Sequence, residues 1–278
     1  MKTPGIISRL IKNSFGAKGI APTPHLRRRP EFDKALLAYK PSAETLNILA
    51  KTTIVTLTAP SATGRNTIIN ALLKTGRYHF IVSDTTRPPR QNSGIWEQNG
   101  VEYFFRDEDE MLEDIKAGRF IEAEVIHSQQ VSGISAREVA RAAQEHRIAI
   151  NDVDIEGGIN IAKLSPAAIT ICLLPPSFAE WIARMKGRSD FEPIELYRRL
   201  YQATKVLRLA LAHEHFIFVI NDKLEDAIEA VDDIATKGTH HDLDEQRAHR
   251  LAEELYHDTT AYLKKHAPED FHESRTAS

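Results

Sequence analysis

Apolar residues along this chain fall into two rhythms. Short runs rich in β-branched and aromatic residues, each closed by turn formers, alternate with longer segments whose apolar positions recur at helical spacing. The first run, IVTLT from Ile54, leads through the loop APSATGRNT into the periodic segment Ile68 to Leu73, a strand–loop–helix unit. HFIVS predicts the next strand, and VEYFF, after a polar loop rich in Gln, Asn and Gly, another. EDEMLEDIKAG predicts a helix stopped at Gly118. FIEAEVIHSQQVSGIS predicts two strands and a turn; SAREVARAAQEH predicts a helix capped by Ser135, with Glu138 completing a capping box. IAIND, ITICLL (closed by Pro175 and Pro176) and FIFVI read as buried strands. FAEWIARMKGRSDFEPIELYRRLYQATKVLRLA gives two helices about Gly187, and LEDAIEAVDDI a last core helix. Strands alternating with helices predict an α/β domain with a largely parallel sheet in three layers.

Both ends depart from that rhythm. Residues 1–50 form a basic, irregular N-terminal extension. Its start reads as a tail or a short amphipathic helix packed on the main domain, with Ile6, Ile7, Leu10 and Ile11 opposed to Arg9 and Lys12. Arg27, Arg28 and Arg29, followed by Pro30, read as a solvated basic linker. Residues 51–237 are the main domain and 238–278 a helical C-terminal extension. In the latter, Leu243, Leu251, Leu255 and Tyr262 make a partial apolar stripe, which either packs on the domain or pairs with a second copy into a homo-oligomer. His240 and His241 read as solvent-exposed neighbours, so no protein-held metal is expected.

Composition narrows the function classes. With 278 residues, 42% hydrophobic and 27% charged, the chain suffices for one large soluble domain with extensions. A net charge of −3 argues against nucleic-acid binding driven by bulk charge. The single cysteine, Cys172, sits in an apolar run and reads as a buried small hydrophobe, which fits a reducing cytoplasm. No apolar run approaches the ~20 residues of a membrane span, and no secretory signal is expected from the broken apolar pieces at the start.

Candidate chemistry gathers at three places. The loop Ala59, Pro60, Ser61, Ala62, Thr63, Gly64, Arg65, Asn66, followed by Thr67, is set where a phosphate loop of pattern G-x-x-x-x-G-K-[ST] belongs. It keeps one glycine, replaces the lysine by arginine and the magnesium-binding hydroxyl by an amide, so an ordinary strand–turn–helix is the alternative. Ala59 matters little with ordinary dihedrals and much if φ must be positive. Arg87 and Arg90, three apart on a proline-stiffened turn, can converge on one anion. Asp152 and Asp154 end a strand where a metal or water network is organised, with an N-cap role for Asp154 as the alternative. Arg184, Arg188 and Arg199 cluster on the helical hairpin, either as a phosphate clamp or as a solvated basic face.

These segments, in this order, resemble the guanylate kinase family: PSxxG in the loop, then VSDTTRPPR, GVEYFF, FIEAEV, DVDIEG, LLPPS, RMKGR with RRL, and VIND. The resemblance runs from about Thr53 to Ile234 and implies a three-layer P-loop kinase fold with a small β-rich GMP-binding insert and a helical lid. It implies transfer of the γ-phosphate of ATP to GMP with magnesium. Ser83, Arg87, Arg90 and Tyr103 match the positions that hold the GMP phosphate; Glu122 and Asp152 match those that read guanine and position the acceptor. Asp154 matches the second acid of DxDxxG, Arg184, Arg188 and Arg199 the lid and clamp arginines, and Asn221 the asparagine near adenine. The departures are the altered loop, Ser132-Gly133-Ile134 in place of the family's YG[ST], and a longer loop after Arg90 that would displace Tyr103. The expectation is a weakened nucleoside-monophosphate kinase acting on GMP or a related acceptor; the alternative is a non-catalytic module that binds GMP or a phosphorylated partner.

Overall fold

The computed structural model describes residues 26–92, 94–126, 129–187, 193–238 and 242–268. The amphipathic start, Arg188 and the His240-His241 pair lie outside the described residues. In chain order the described elements are α1 (Arg29–Leu37), α2 (Ala43–Lys51), β1 (Ile54–Thr58), α3 (Arg65–Lys74), β2 (Tyr78–Phe80), β3 (Asp84–Thr85), β4 (Gln91–Asn92), β5 (Ile95–Trp96), β6 (Phe104–Phe105), α4 (Glu108–Lys116), β7 (Phe120–Ile126), β8 (Gln130–Ser135), α5 (Ala136–Gln144), β9 (Ile148–Asp152), α6 (Ile155–Leu164), β10 (Ile169–Leu174), α7 (Phe178–Lys186), α8 (Pro193–Leu211), β11 (Phe216–Ile220), α9 (Leu224–Lys237) and α10 (Asp242–His266). The α/β alternation of the sequence is therefore real. The strands make a five-stranded sheet of order β11-β10-β1-β9-β2, a four-stranded one of order β6-β3-β8-β7, and the hairpin β4-β5.

The chain divides into two compact units, one from residues 1–55, 69–151 and 160–168, the other from 56–68, 152–159 and 169–278. In the first, β2 and β9 pair in parallel, Tyr78 beside Ile148, while β7 and β8 pair antiparallel as the sequence predicts. Strands β2 and β6 are shorter than the apolar runs HFIVS and VEYFF suggested: β2 ends at Phe80, and only Phe104 and Phe105 pair with β3. The core here includes part of the N-terminal extension: Leu26 and Phe32 are buried with Met111, Leu112, Ile115, Phe120 and Val131. Tyr39 latches the same segment. Its hydroxyl donates to the Phe120 carbonyl and accepts from the Phe120 N–H at 2.9 Å, and burial pushes its pKa up to about 12.

Two sequence expectations fail in this unit. The arginine triplet is not a solvated linker. Helix α4 opens with Asp107, Glu108 and Asp109, and that negative turn draws the basic segment onto it. The Arg27 and Arg28 N–H groups donate to the Glu108 carboxylate at 3.2 and 2.9 Å, the Arg28 side chain meets Asp109, and Arg29 meets Asp33 at 2.8 Å. Nor does the capping box form at α5. Ser135 makes no side-chain cap, its hydroxyl is buried without a hydrogen-bond partner among the described residues, and Glu138 lies 3.5 Å from the His79 ring instead.

In the second unit β10 and β11 pair in parallel, Thr170 beside Phe216 through Leu174 beside Ile220. Around them Cys172, Trp181, Met185, Leu200 and Leu207 form a core that also takes Ala248, Ala252, Leu255 and Leu263 from α10. Complete burial pushes the Cys172 thiol up to about 12, which keeps it inert. The apolar stripe of the C-terminal helix thus packs on its own unit, with Leu251 and Tyr262 at the edge of that core. No described helix is long and apolar enough to cross a membrane.

Phe32→Ala tests whether the N-terminal segment is structural. The ring is fully buried, so the variant should lose about 3–5 kcal/mol of stability in urea unfolding; a loss below ~1 kcal/mol would show that the segment merely rests on the unit.

Candidate functional site

Arg87 is the centre of a buried charged cluster in the first unit. Its side chain is only 4% exposed, and a charge so deep needs a partner. The partner is Glu97, equally buried: Nη1 and Nη2 of Arg87 donate to the two carboxylate oxygens at 2.5 and 3.0 Å. Nη1 also donates to the Pro88 carbonyl at 3.0 Å. The guanidinium carbon lies 4.7 Å from the Tyr103 ring centre and 5.6 Å from that of Phe105. Arg90 joins the cluster through its backbone, its N–H donating to Glu97 at 2.9 Å. Burial first, then the nearby positive charge of Arg87, hold the Arg90 side chain below the usual guanidinium range. Two cations made to neighbour each other are a place where an anion is welcome.

The longer loop after Arg90 leaves Tyr103 against the Arg87 guanidinium. Glu97 N donates to the Arg90 carbonyl at 2.9 Å, Gln91 pairs with Trp96 and Asn92 with Ile95, so the extra residues fold outward as a hairpin closed at its base. Past the base, Gly100 with φ +75° turns the chain, and its N–H donates to the Tyr103 carbonyl at 2.8 Å. Ser83 lies half-buried just before β3, its carbonyl accepting from Phe104 N at 2.9 Å. Glu122 stands on β7 opposite Ile134. A Cβ on Gly133 would come within 2.5 Å of the Glu122 carbonyl, so close strand approach requires that glycine. Ser132, where the resemblance expects a tyrosine, donates to Thr85 Oγ1 at 2.9 Å and so braces the strand leading into Arg87.

The candidate phosphate loop lies in the second unit. Ala59 has no positive φ, so losing a glycine there costs no backbone strain; Ala62 takes φ +67° and Gly64 φ +93°. A Cβ on Gly64 would sit 2.3 Å from Asn221 Nδ2, so this surviving glycine is required twice over. Side chains pin the loop carbonyls: Trp181 Nε1 donates to Ser61 O at 2.7 Å, Asn221 Nδ2 to Thr63 O at 2.6 Å, and Thr63 Oγ1 to Pro60 O at 2.9 Å. In a trans peptide the carbonyl and the following N–H point oppositely. Holding the Ser61 and Thr63 carbonyls therefore turns the Ala62 N–H away from Trp181 and the Gly64 N–H away from the Asn221 amide. Among the described residues no acceptor meets the N–H groups of Ala62, Thr63 or Gly64. Inward N–H groups at a helix start are the physical requirement for holding phosphate.

Arg65 and Asp152 come together: Nη2 lies 3.1 Å from the carboxylate, and Nη1 donates to the Val153 carbonyl at 3.3 Å. Asp154 performs the capping role, accepting from Gly157 N at 2.7 Å at the start of α6. Arg184 is anchored rather than free, donating to the Asn221 carbonyl at 2.8 Å and to Glu180 at 3.2 Å. Arg199, on α8, donates to Glu195 at 3.0 Å. Asn221 is buried, and its amide shapes the loop. No group of three or more potential metal ligands exists among the described residues. Oxygen donors for a hard cation are present in Asp152 and Asn66, so magnesium fits here as an ion brought by phosphates rather than caged by protein. Sequence reasoning missed Glu97 and Trp181. Glu97 was hidden in a polar loop whose hairpin was not anticipated, and Trp181 in a helix whose apolar face reads only as core.

The guanylate kinase family model matches residues 50–238. The guanylate kinase of Corynebacterium efficiens is 36% identical over 180 residues, covering 64% of this chain and 92% of its own length. That of Porphyromonas gingivalis is 33% identical over 183 residues, covering 65% and 94%. A solved guanylate kinase structure, from Anaplasma phagocytophilum, aligns with a TM-score of 0.49 at 21% identity over 70% of this chain and 90% of that one.

The buried pair makes a pH prediction. Burial raises the Glu97 carboxyl pKa, but hydrogen bonds from Arg87 and Arg90 outweigh it and hold it below the usual range. A depressed folded-state pKa stabilises above the unfolded value and is lost as pH falls through the folded one. Stability should therefore drop in acid below the normal carboxylate range, and Glu97→Gln should remove that component. The same variant strands a buried guanidinium, so it should cost about 3–5 kcal/mol at neutral pH, read by urea unfolding across pH.

Proposed function

Because the chain belongs to the guanylate kinase family, we propose that it transfers the γ-phosphoryl group of magnesium-bound ATP to GMP or a related nucleoside monophosphate, at a reduced rate. The observation that carries this reading is the loop conformation. With one glycine left, the loop still has its Ser61 and Thr63 carbonyls held from outside, its Ala62, Thr63 and Gly64 N–H groups without an acceptor among the described residues, and a cation, Arg65, beside Asp152. Phosphoryl transfer asks the protein for positioning and charge neutralisation rather than a nucleophile. Arg87, Arg90, Ser83 and Tyr103 would hold the acceptor phosphate and Glu122 would read the base. Asp152 would orient the acceptor, and Arg65, Arg188 and Arg199 would meet the donor phosphates, with Arg184 and Asn221 supporting the loop. Magnesium supplies charge neutralisation on the phosphates when bound. The reading needs no second copy and no nucleic acid, and it places the protein in the cytoplasm with its substrates.

A second reading has one observation behind it. Arg65 forms an ion pair with Asp152, so the loop's cation and the strand's carboxylate each occupy the other. If ATP does not separate them, the chain is a non-catalytic module that binds GMP or a phosphorylated partner through Arg87 and Arg90.

A coupled ADP-release assay with ATP, magnesium and GMP should show low but measurable turnover, abolished by Arg87→Ala. Loss of one strong phosphate contact costs about 10²–10³ in rate, so restoring Arg65→Lys with Asn66→Ser should recover a good part of that. No turnover on any nucleoside monophosphate, with GMP still bound, would sink the kinase reading and favour the module.

A further inference from the structure

Helix α10 begins beyond the residues that the family model matches, and it lies along α8 within the second unit. A cavity of about 390 Å³ opens between the two helices. Tyr201, Lys205 and Arg208 line it from α8, and Tyr256, Thr260 and Lys264 from α10. Half of the wall thus belongs to the extension, so the cavity exists because α10 does and owes nothing to the phosphate loop or the Arg87 cluster.

Its chemistry is one-sided. The lining has three cations and no carboxylate. Lys205 is already neutralised, its ammonium donating to Glu156 at 2.8 Å. Arg208 and Lys264 have no carboxylate partner among the described residues. The threonines add no free donors: Thr204 and Thr260 donate their hydroxyl protons to the Tyr201 and Tyr256 carbonyls at 2.7 and 2.8 Å. Arg208 offers a planar guanidinium fork and Lys264 an ammonium, a pairing that suits phosphate oxygens. Two tyrosines flank them, and Tyr201 is 39% exposed, so an aromatic surface is offered beside the cations. The volume falls in the ordinary range of small-molecule sites. The net charge of −3 disfavours a long polyanion over a small one.

We propose that this cavity is a second binding site, for a phosphorylated small molecule of nucleotide size that carries a planar ring. Arg208 and Lys264 take the phosphate, and Tyr201 and Tyr256 flank the ring. The site is independent of whether the chain is an active kinase.

The test uses the full chain and 8-azido-ATP without magnesium, with photolabelled peptides mapped by mass spectrometry. Label should appear on the α8 peptide holding Tyr201 or the α10 peptide holding Tyr256. Arg208→Glu with Lys264→Glu should lower that label roughly tenfold or more, a loss of about 1.4 kcal/mol or more in binding, while leaving GMP-dependent ADP release and the melting temperature unchanged. On the wild-type chain, excess inorganic tripolyphosphate should compete for this label, and adenosine should compete weakly. Label confined to peptides of the 59–67 loop, or groove label indifferent to tripolyphosphate, would overturn the proposal even if the double variant failed to fold.

Discussion

A guanidinium withdrawn from water must be matched by a carboxylate, and in the first unit that requirement organises the cluster around Arg87. Arg87 and Glu97 are both almost fully buried, and they meet through two hydrogen bonds. Once Glu97 is fixed there, its second role follows, because the same carboxylate takes the Arg90 N–H. The hairpin between Arg90 and Glu97 is then closed at its base, and the chain beyond it brings Tyr103 back over Arg87. One ion pair therefore sets the positions of two cations and a tyrosine. It also sets a limit: the Arg87 fork is already bidentate to protein rather than an empty clamp.

The phosphate loop follows a different logic, in which shape is held from outside. Trp181 and Asn221 grip loop carbonyls, and Gly64 is confined by Asn221. The residues that hold the frame lie outside the loop, elsewhere in the same unit. That is how a loop reduced to one glycine keeps its turn. Ala59 sits in ordinary backbone, where a methyl group is harmless, whereas Ala62 accepts a left-handed conformation that costs a non-glycine residue about 1 kcal/mol. The altered pattern therefore leaves the turn intact.

Much of this was legible in the chain. The strand–helix alternation and the antiparallel β7–β8 pair follow from period and turn chemistry. What was not legible depended on partners distant in sequence. The arginine triplet looks solvated until α4 brings Asp107, Glu108 and Asp109 against it, some 80 residues on. Ser135 and Glu138 have capping-box spacing, yet His79 on another strand lies against the glutamate and the cap is not made. The loop after Arg90 reads as an insertion that disturbs Tyr103, because nothing local says that Glu97 will be buried against Arg87. Local rules fail where a charge finds a long-range counterpart.

The two extensions share a physical principle. The described part of each contributes apolar residues to a core: Leu26 and Phe32 at one end, Ala248, Ala252, Leu255 and Leu263 at the other. On another flank of α10, Tyr256 and Lys264 stand against Tyr201 and Arg208 of α8 across a groove between the two helices. The C-terminal extension thus buries apolar residues along one face and presents a concave, cationic and aromatic surface along the next.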